Sequence, residues 1–158
     1  MLFNSLEYLV FFPIVTLVYF LSPTIRVRNI LLLIASYYFY MQYKPEYGLL
    51  MLFSSFVNYL AGLRIVKAKN KRGKQLWLAI SVISTLGVLF FFKYFNFFNA
   101  NVARLLSFFD ISYQPLSINV LLPVGISFYT FQALSYSIDV YRGALQAERD
   151  FFDFALYV

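Results

Sequence analysis

The chain alternates long apolar runs with short polar segments, and the lengths of these runs predict membrane-spanning helices. A spanning helix needs about 20 predominantly apolar residues to cross a hydrocarbon core of about 30 Å. The longest run without a charged residue covers 111–138 and satisfies this length. We therefore expect an all-α, polytopic transmembrane helix bundle in a single domain, 1–158. About five spans are predicted, at approximately 6–22, 29–43, 47–66, 75–93 and 116–141.

The last predicted span carries a polar stripe. Four of its residues follow one another at spacings of three, four and three, which places them within about 80° on one helix face. A one-sided polar face is directed toward protein or water rather than toward lipid. Two interpretations stay open: the residues line a hydrophilic passage, or they form hydrogen bonds between helices that hold the bundle together. These residues are Tyr129, Gln132, Tyr136 and Asp139.

Residues 96–110 show a different pattern. On a helical wheel, most of their apolar side chains occupy one half and most of their polar side chains the other. A helix of this kind lies in the membrane interface with its apolar face toward the acyl chains. We expect 96–110 to form an interfacial amphipathic helix, separate from the span before it.

Composition agrees with a membrane protein and narrows the chemistry. Hydrophobic residues make up 61% of the chain and charged residues 13%, whereas soluble domains carry about 25% charged residues. The sequence has no His and no Cys, so the commonest general base, the thiolate nucleophile and the preferred transition-metal ligands are all missing. No catalytic motif is present, so no catalytic residue, metal site or bound cofactor is predicted, and nucleic acid is not an expected partner.

The basic residues predict the orientation in the membrane. If the basic loop 67–74 is cytoplasmic, alternation of the spans places ten basic residues inside and three outside, and the N-terminus outside. The loop has two possible roles. It could bind the phosphates of an acyl donor, or it could be a topogenic loop attracted to anionic headgroups, and the second role is favoured because no glycine-rich phosphate cradle accompanies it. Its basic residues are Lys67, Lys69, Lys71, Arg72 and Lys74.

Three stretches resemble bacterial membrane-bound O-acyltransferases of the alginate O-acetyltransferase type. They read MLFNSLEYLVFFPIV, NILLLIASYYFYMQYKPEYGLLMLFSS and LPVGISFYTFQALSYSIDVYRG, and together they extend the resemblance over essentially the whole chain. The resemblance implies a bacterial inner-membrane enzyme that transfers an acetyl group from a cytoplasmic donor, acetyl-CoA, to hydroxyls of an extracytoplasmic polysaccharide such as alginate. It also implies periplasmic accessory proteins as partners.

The resemblance further implies that the chain is the N-terminal part of a larger membrane domain. The resemblance implies an intramembrane His in the later half of the enzyme that acts on the acceptor hydroxyl or on the acyl group, and this chain has no residue that matches it. We therefore expect these 158 residues to be inactive alone. The alternative is a non-enzymatic membrane scaffold or a transporter subunit, and the transporter is disfavoured because every charge lies near a predicted span end.

Overall fold

A computed structural model describes residues 5–42, 44–108 and 125–158. Helices account for 86% of these residues, and no strand occurs among them. The six helices are α1 (Leu6–Leu21), α2 (Ile25–Met41), α3 (Pro45–Lys67), α4 (Lys71–Phe108), α5 (Ile126–Arg142) and α6 (Phe151–Tyr157). The predicted all-α membrane bundle is confirmed.

Helix α3 is the centre of the bundle. It packs against α4 on one side and α5 on the other, and these two helices also touch each other. Helix α6 fills the space between α2 and α3, while α1 packs on α2. Neither α1 nor α2 contains a buried residue, so most of their apolar side chains face outward, where a bilayer would surround them.

Local sequence explains the first three helices. Ser5 accepts a hydrogen bond from the backbone N–H of Tyr8 and so caps α1, and Thr24 caps α2 in the same way through Val27. Pro45 stands in the first turn of α3, where its missing N–H costs nothing. The predicted spans 6–22, 29–43 and 47–66 overlap these three helices.

Helix α4 differs from the prediction. It runs without interruption from Lys71 to Phe108, so the predicted span 75–93 and residues 96–108 of the predicted interfacial helix form one helix. The separation was wrong because 94–108 contains no Pro or Gly to end a helix, and the change in apolar pattern at Lys93 does not break backbone hydrogen bonds. Residues 109 and 110 lie outside the described residues.

The predicted basic loop is also shorter than expected. Lys67 ends α3 and Lys71 begins α4, so only three residues connect the two helices. The side chain of Asn70 accepts a hydrogen bond from the N–H of Gly73 at 2.9 Å, which starts α4 four residues before the predicted span.

Two helices, α3 and α4, are long and apolar enough to cross a membrane by length and composition, and α1 is a shorter apolar helix. At 1.5 Å per residue the 38 residues of α4 extend about 57 Å, which exceeds the thickness of a hydrocarbon core. The predicted span 116–141 begins outside the described residues, and α5 occupies its later part before Gly143, with φ 78°, ends the helix.

Candidate functional site

A buried polar cluster joins the three central helices, and Asn58 of α3 stands at its middle. The Nδ2 of Asn58 donates to the backbone oxygen of Ser54 at 2.8 Å and to Oγ1 of Thr85 at 2.9 Å. Its Oδ1 accepts from the hydroxyls of Ser81 at 2.6 Å and Ser137 at 2.9 Å. Both donors and both acceptor positions of the amide are thus used within the protein.

This cluster fixes the packing of α3, α4 and α5. Asn58, Ser81 and Ser137 are each 0% exposed, so their polar groups have no access to lipid or water. Lipid gives helices no hydrophobic reason to associate, and interhelical hydrogen bonds and close packing take over that role. We refer to Asn58, Ser81, Thr85 and Ser137 as the Asn58 cluster.

Tyr136, the third residue of the predicted stripe, precedes Ser137 of this cluster and packs against Gly62, which lies one turn after Asn58 on α3. A Cβ at position 62 would lie 2.8 Å from the Tyr136 hydroxyl, so only glycine leaves room for the ring. The hydroxyl accepts a hydrogen bond from the N–H of Glu148 at 2.9 Å. The ring centroid lies 4.5 Å from that of Phe154 on α6. Tyr136 therefore connects α3, the loop after α5, and α6.

The other stripe residues have different surroundings. Tyr129 is buried among Met51 and Leu89, and its ring meets that of Tyr40 edge-on at 6.3 Å. The side chain of Gln132 is half-buried and donates to the backbone oxygen of Tyr157 at the end of α6.

Asp139, the last stripe residue, is half-buried near the end of α5. Its backbone oxygen accepts from the N–H of Ala144 at 2.9 Å, which closes the end of α5. Three of the four stripe residues thus contact a neighbouring helix or loop through their side chains, as interhelical packing requires. Their role in a passage stays a prediction.

Polar contacts also hold the segment that contains α6. The hydroxyl of Tyr59 donates to the backbone oxygen of Arg149 at 2.7 Å, and Nδ2 of Asn29 donates to Oδ1 of Asp153 at 2.8 Å. The carboxylate of Asp150 accepts from the N–H of Phe152 and caps the helix. As a result α6 begins near the ends of α3 and α5 that carry basic residues, and its last residues lie beside Gln132.

Two cavities border the stripe. A laterally open cleft of about 600 Å³ lies between α1 and α2 on one side and α5 and α6 on the other, and Gln132, Tyr37 and Tyr40 supply part of its lining. A second cavity of about 240 Å³ is lined by Tyr136 and Glu148, among others. Neither cavity holds a group of three or more metal-ligating side chains, and no such group exists elsewhere among the described residues.

The predicted basic residues occupy one corner of the bundle. Lys67 lies in the last turn of α3, Lys69 in the connection, and the other three in the first turn of α4. Arg64, one turn before Lys67, stacks over the ring of Trp77 with its guanidinium carbon 5.3 Å from the ring centroid. The structure therefore brings the predicted basic residues together, at the same end of the bundle as the loop after α5.

Sequence comparison extends the resemblance. The chain is 43% identical over its whole length to the probable alginate O-acetylase AlgI of Pseudomonas aeruginosa, and 41% identical to that of Azotobacter vinelandii. It is 31% identical over 90% of its length to the peptidoglycan O-acetyltransferase of Helicobacter pylori. The chain is homologous to the N-terminal part of the alginate O-acetylases. It spans 30%, 32% and 27% of the lengths of these three relatives. No protein-family model and no solved structure matches the chain.

The hydrogen bonds of the Asn58 cluster and the close contact at Gly62 were not predicted from the sequence. A signal for both existed: Ser54, Asn58 and Gly62 follow one another every four residues on α3, which places two small residues and one amide on a single face. Small residues at this spacing let helices approach closely, and an amide inside a span seeks a partner.

Proposed function

We propose that this chain is the N-terminal part of a membrane-bound O-acetyltransferase that acts on an extracytoplasmic polysaccharide. The observation that carries the proposal is the identity of about 40% over the whole chain to proteins named as alginate O-acetylases. The relative named as a peptidoglycan O-acetyltransferase supports the same type of reaction with a different acceptor, so the acceptor of this chain is less certain from the names than the reaction. Alginate is therefore the first acceptor to test, and acetyl-CoA on the cytoplasmic side the first donor.

In this proposal the 158 residues build the wall of the membrane domain and supply no catalytic base. The sequence lacks His and Cys, and a tyrosine hydroxyl has a reference pKa of about 10, which is too high for ready proton removal at neutral pH. The residues that carry out acetyl transfer would then belong to the part of the enzyme outside these 158 residues. Packing contacts such as the Asn58 cluster and the contact of Tyr136 with Gly62 would set the positions of the helices that border the site.

The test uses radiolabelled acetyl-CoA and alginate with the 158-residue chain in lipid nanodiscs. We expect no labelled alginate above the background of empty nanodiscs. An AlgI homologue assayed with its accessory proteins under the same conditions serves as the positive control. Turnover by the 158-residue chain would refute the assignment of catalysis to residues outside it.

The polar face of α5 is proposed to border a hydrophilic passage through the complete membrane domain. Gln132 supports this role, because its side chain is half-buried and lines the open cleft of about 600 Å³. Because the chain has no Cys, single Cys replacements at Tyr129, Gln132 and Asp139 can be probed with a water-soluble thiol reagent. Lack of reaction at all three positions in the complete protein would exclude the passage.

The membrane location is proposed to be the bacterial inner membrane, with the N-terminus outside. The support is the excess of basic residues at the end of the bundle that holds the connection between α3 and α4. Single Cys residues at Ser5 and Lys69 would report the orientation with a membrane-impermeant maleimide applied to spheroplasts. We expect labelling at position 5 and protection at position 69, and the opposite result would reverse the topology.

A further inference from the structure

The corner between α3 and α4 concentrates positive charge. Between Arg64 and Lys74 the chain contains six basic residues and no acidic residue. Only Ala68, Lys69 and Asn70 lie outside the two helices, so all six charges belong to two adjoining helix turns and their connection. Like charges this close repel one another unless an anion lies between them. The six are Arg64, Lys67, Lys69, Lys71, Arg72 and Lys74.

The connection itself is tightly built. Asn70 accepts from the N–H of Gly73 at 2.9 Å, and a Cβ at position 73 would lie 2.6 Å from that same oxygen. The turn is therefore fixed by the Asn70 side chain, and the basic residues on both sides of it are held near one another. Lys67 and Lys71 bracket the connection and are both exposed.

The surroundings of this corner suit a lipid better than a soluble ligand. Val66 and Leu76 are 58% and 60% exposed, and they lie on the helix turns that also carry the basic residues. Trp77, which is half-buried, lies beneath the guanidinium of Arg64. Charge above an exposed apolar surface, with a tryptophan at the boundary, matches the headgroup and the upper acyl chain of a phospholipid.

We propose that this corner is a binding site for the phosphate headgroup of an anionic phospholipid, of the phosphatidylglycerol class, with the acyl chains along Val66 and Leu76. The shared chemistry is a phosphate, and the phosphates of a soluble donor such as CoA are the competing source. The site does not depend on the acetyltransferase proposal, since it requires only that the corner lies at a membrane surface.

Trp77 provides the measurement, because it is the single tryptophan of the chain. The 158-residue protein is reconstituted in vesicles of phosphatidylcholine with increasing fractions of either brominated phosphatidylglycerol or brominated phosphatidylcholine, and the quenching of Trp77 fluorescence gives the relative affinity of the two lipids. We expect phosphatidylglycerol to be preferred by about fivefold or more, since one basic residue near the surface typically contributes that factor.

The matched variants remove equal charge from the two ends of the bundle. Lys71→Gln with Arg72→Gln should reduce the preference by about fivefold or more, whereas Lys44→Gln with Lys93→Gln should leave it unchanged. Circular dichroism and quenching by brominated phosphatidylcholine verify that each variant is folded and inserted. Equal quenching by both lipids in the unsubstituted protein, or equal losses in the two variants, would overturn the site.

The source of the phosphate is decided by competition. CoA at millimolar concentration, at constant ionic strength, should not change the quenching by brominated phosphatidylglycerol. If CoA abolishes the preference while inorganic sulfate does not, the corner binds a soluble phosphate and the lipid assignment is wrong.

Discussion

Replacement of Asn58 by Ala is the most direct test of how the bundle is held together. The substitution removes three hydrogen bonds between helices, to Thr85, Ser81 and Ser137. Interhelical hydrogen bonds in membrane proteins contribute about 0.6 kcal/mol on average and up to about 1.7 kcal/mol. Three of them therefore stabilise the fold by about 2 kcal/mol, with an upper bound of about 5 kcal/mol.

The expected loss lies near the lower figure. The three hydroxyls freed by Asn58→Ala belong to helix residues, and serine and threonine in helices can donate to the backbone oxygen one turn before them. This alternative relieves most of the penalty for an unsatisfied buried hydroxyl. The small cavity left by the amide adds to the loss, so we expect the free energy of unfolding to fall by about 2–3 kcal/mol.

The measurement is reversible unfolding in mixed micelles with increasing fractions of sodium dodecyl sulfate, followed by circular dichroism. Asn101→Ala is the matched control, because Asn101 is exposed and its Nδ2 donates to the backbone oxygen of Phe97 in its own helix at 2.7 Å. We expect that control to change stability by less than about 0.5 kcal/mol. Equal effects of the two substitutions would refute the role of the Asn58 cluster.

A double-mutant cycle isolates one bond of the cluster. Ser137→Ala alone, Asn58→Ala alone and the double variant give the coupling free energy between two residues that are 79 positions apart in the sequence. We expect a coupling of about 0.6 kcal/mol. A coupling of zero would mean that the Ser137 hydroxyl does not stabilise α5 against α3.

Three further substitutions, with Gly87→Ala as a control, test other contacts in the bundle. Gly62→Ala should destabilise the fold by about 1–3 kcal/mol, because the new Cβ would lie 2.8 Å from the side chain of Tyr136. A Cβ at Gly87 would meet no atom within 4 Å, so Gly87→Ala should leave stability unchanged or raise it by about 0.5–1 kcal/mol. Tyr136→Phe should cost about 0.5–1.5 kcal/mol and speed hydrogen exchange at the amide of Glu148, and unchanged exchange would contradict the bond. Asn29→Ala removes a donor to α6, so hydrogen exchange in α6 should rise; equal exchange in the variant would show that this amide does not hold the helix.

Much of the helical architecture could be predicted from the sequence, because its determinants are local. Runs of apolar residues, the caps Ser5 and Thr24, and Pro45 in a first turn indicate where α1, α2 and α3 begin and end. The length of α4 was missed for a physical reason. A charged residue such as Lys93 indicates where a helix lies relative to the bilayer, but it does not end the helix. A helix ends where its backbone hydrogen bonds are interrupted.

The candidate site was predicted less completely, because its contacts join distant segments. The spacing of Tyr129, Gln132 and Tyr136 indicates a common polar face, but the sequence does not say which surface that face meets. The partner of Tyr136 is a glycine more than 70 residues earlier, and a glycine inside a span has many possible reasons to be there. The role of Asn58 was not predicted, because the sequence indicates only that an amide within a span needs a hydrogen-bond partner. It does not indicate that these partners lie on two other helices.

The contacts of the polar stripe determine how a passage must be tested. Tyr136 supports Gly62 and the Glu148 amide, so its replacement would disturb packing whether or not it borders a passage, and loss of activity in such a variant would carry no information. Gln132 is a better position, because it lines the open cleft of about 600 Å³ and its side chain donates to a backbone oxygen at the end of α6. In the complete protein, a Gln132→Cys variant that reacts with a water-soluble thiol reagent, and reacts more slowly in saturating acceptor polysaccharide, would support a passage. If the Cys reacts only with a lipid-soluble reagent, the cleft is filled by lipid and the stripe is a packing surface.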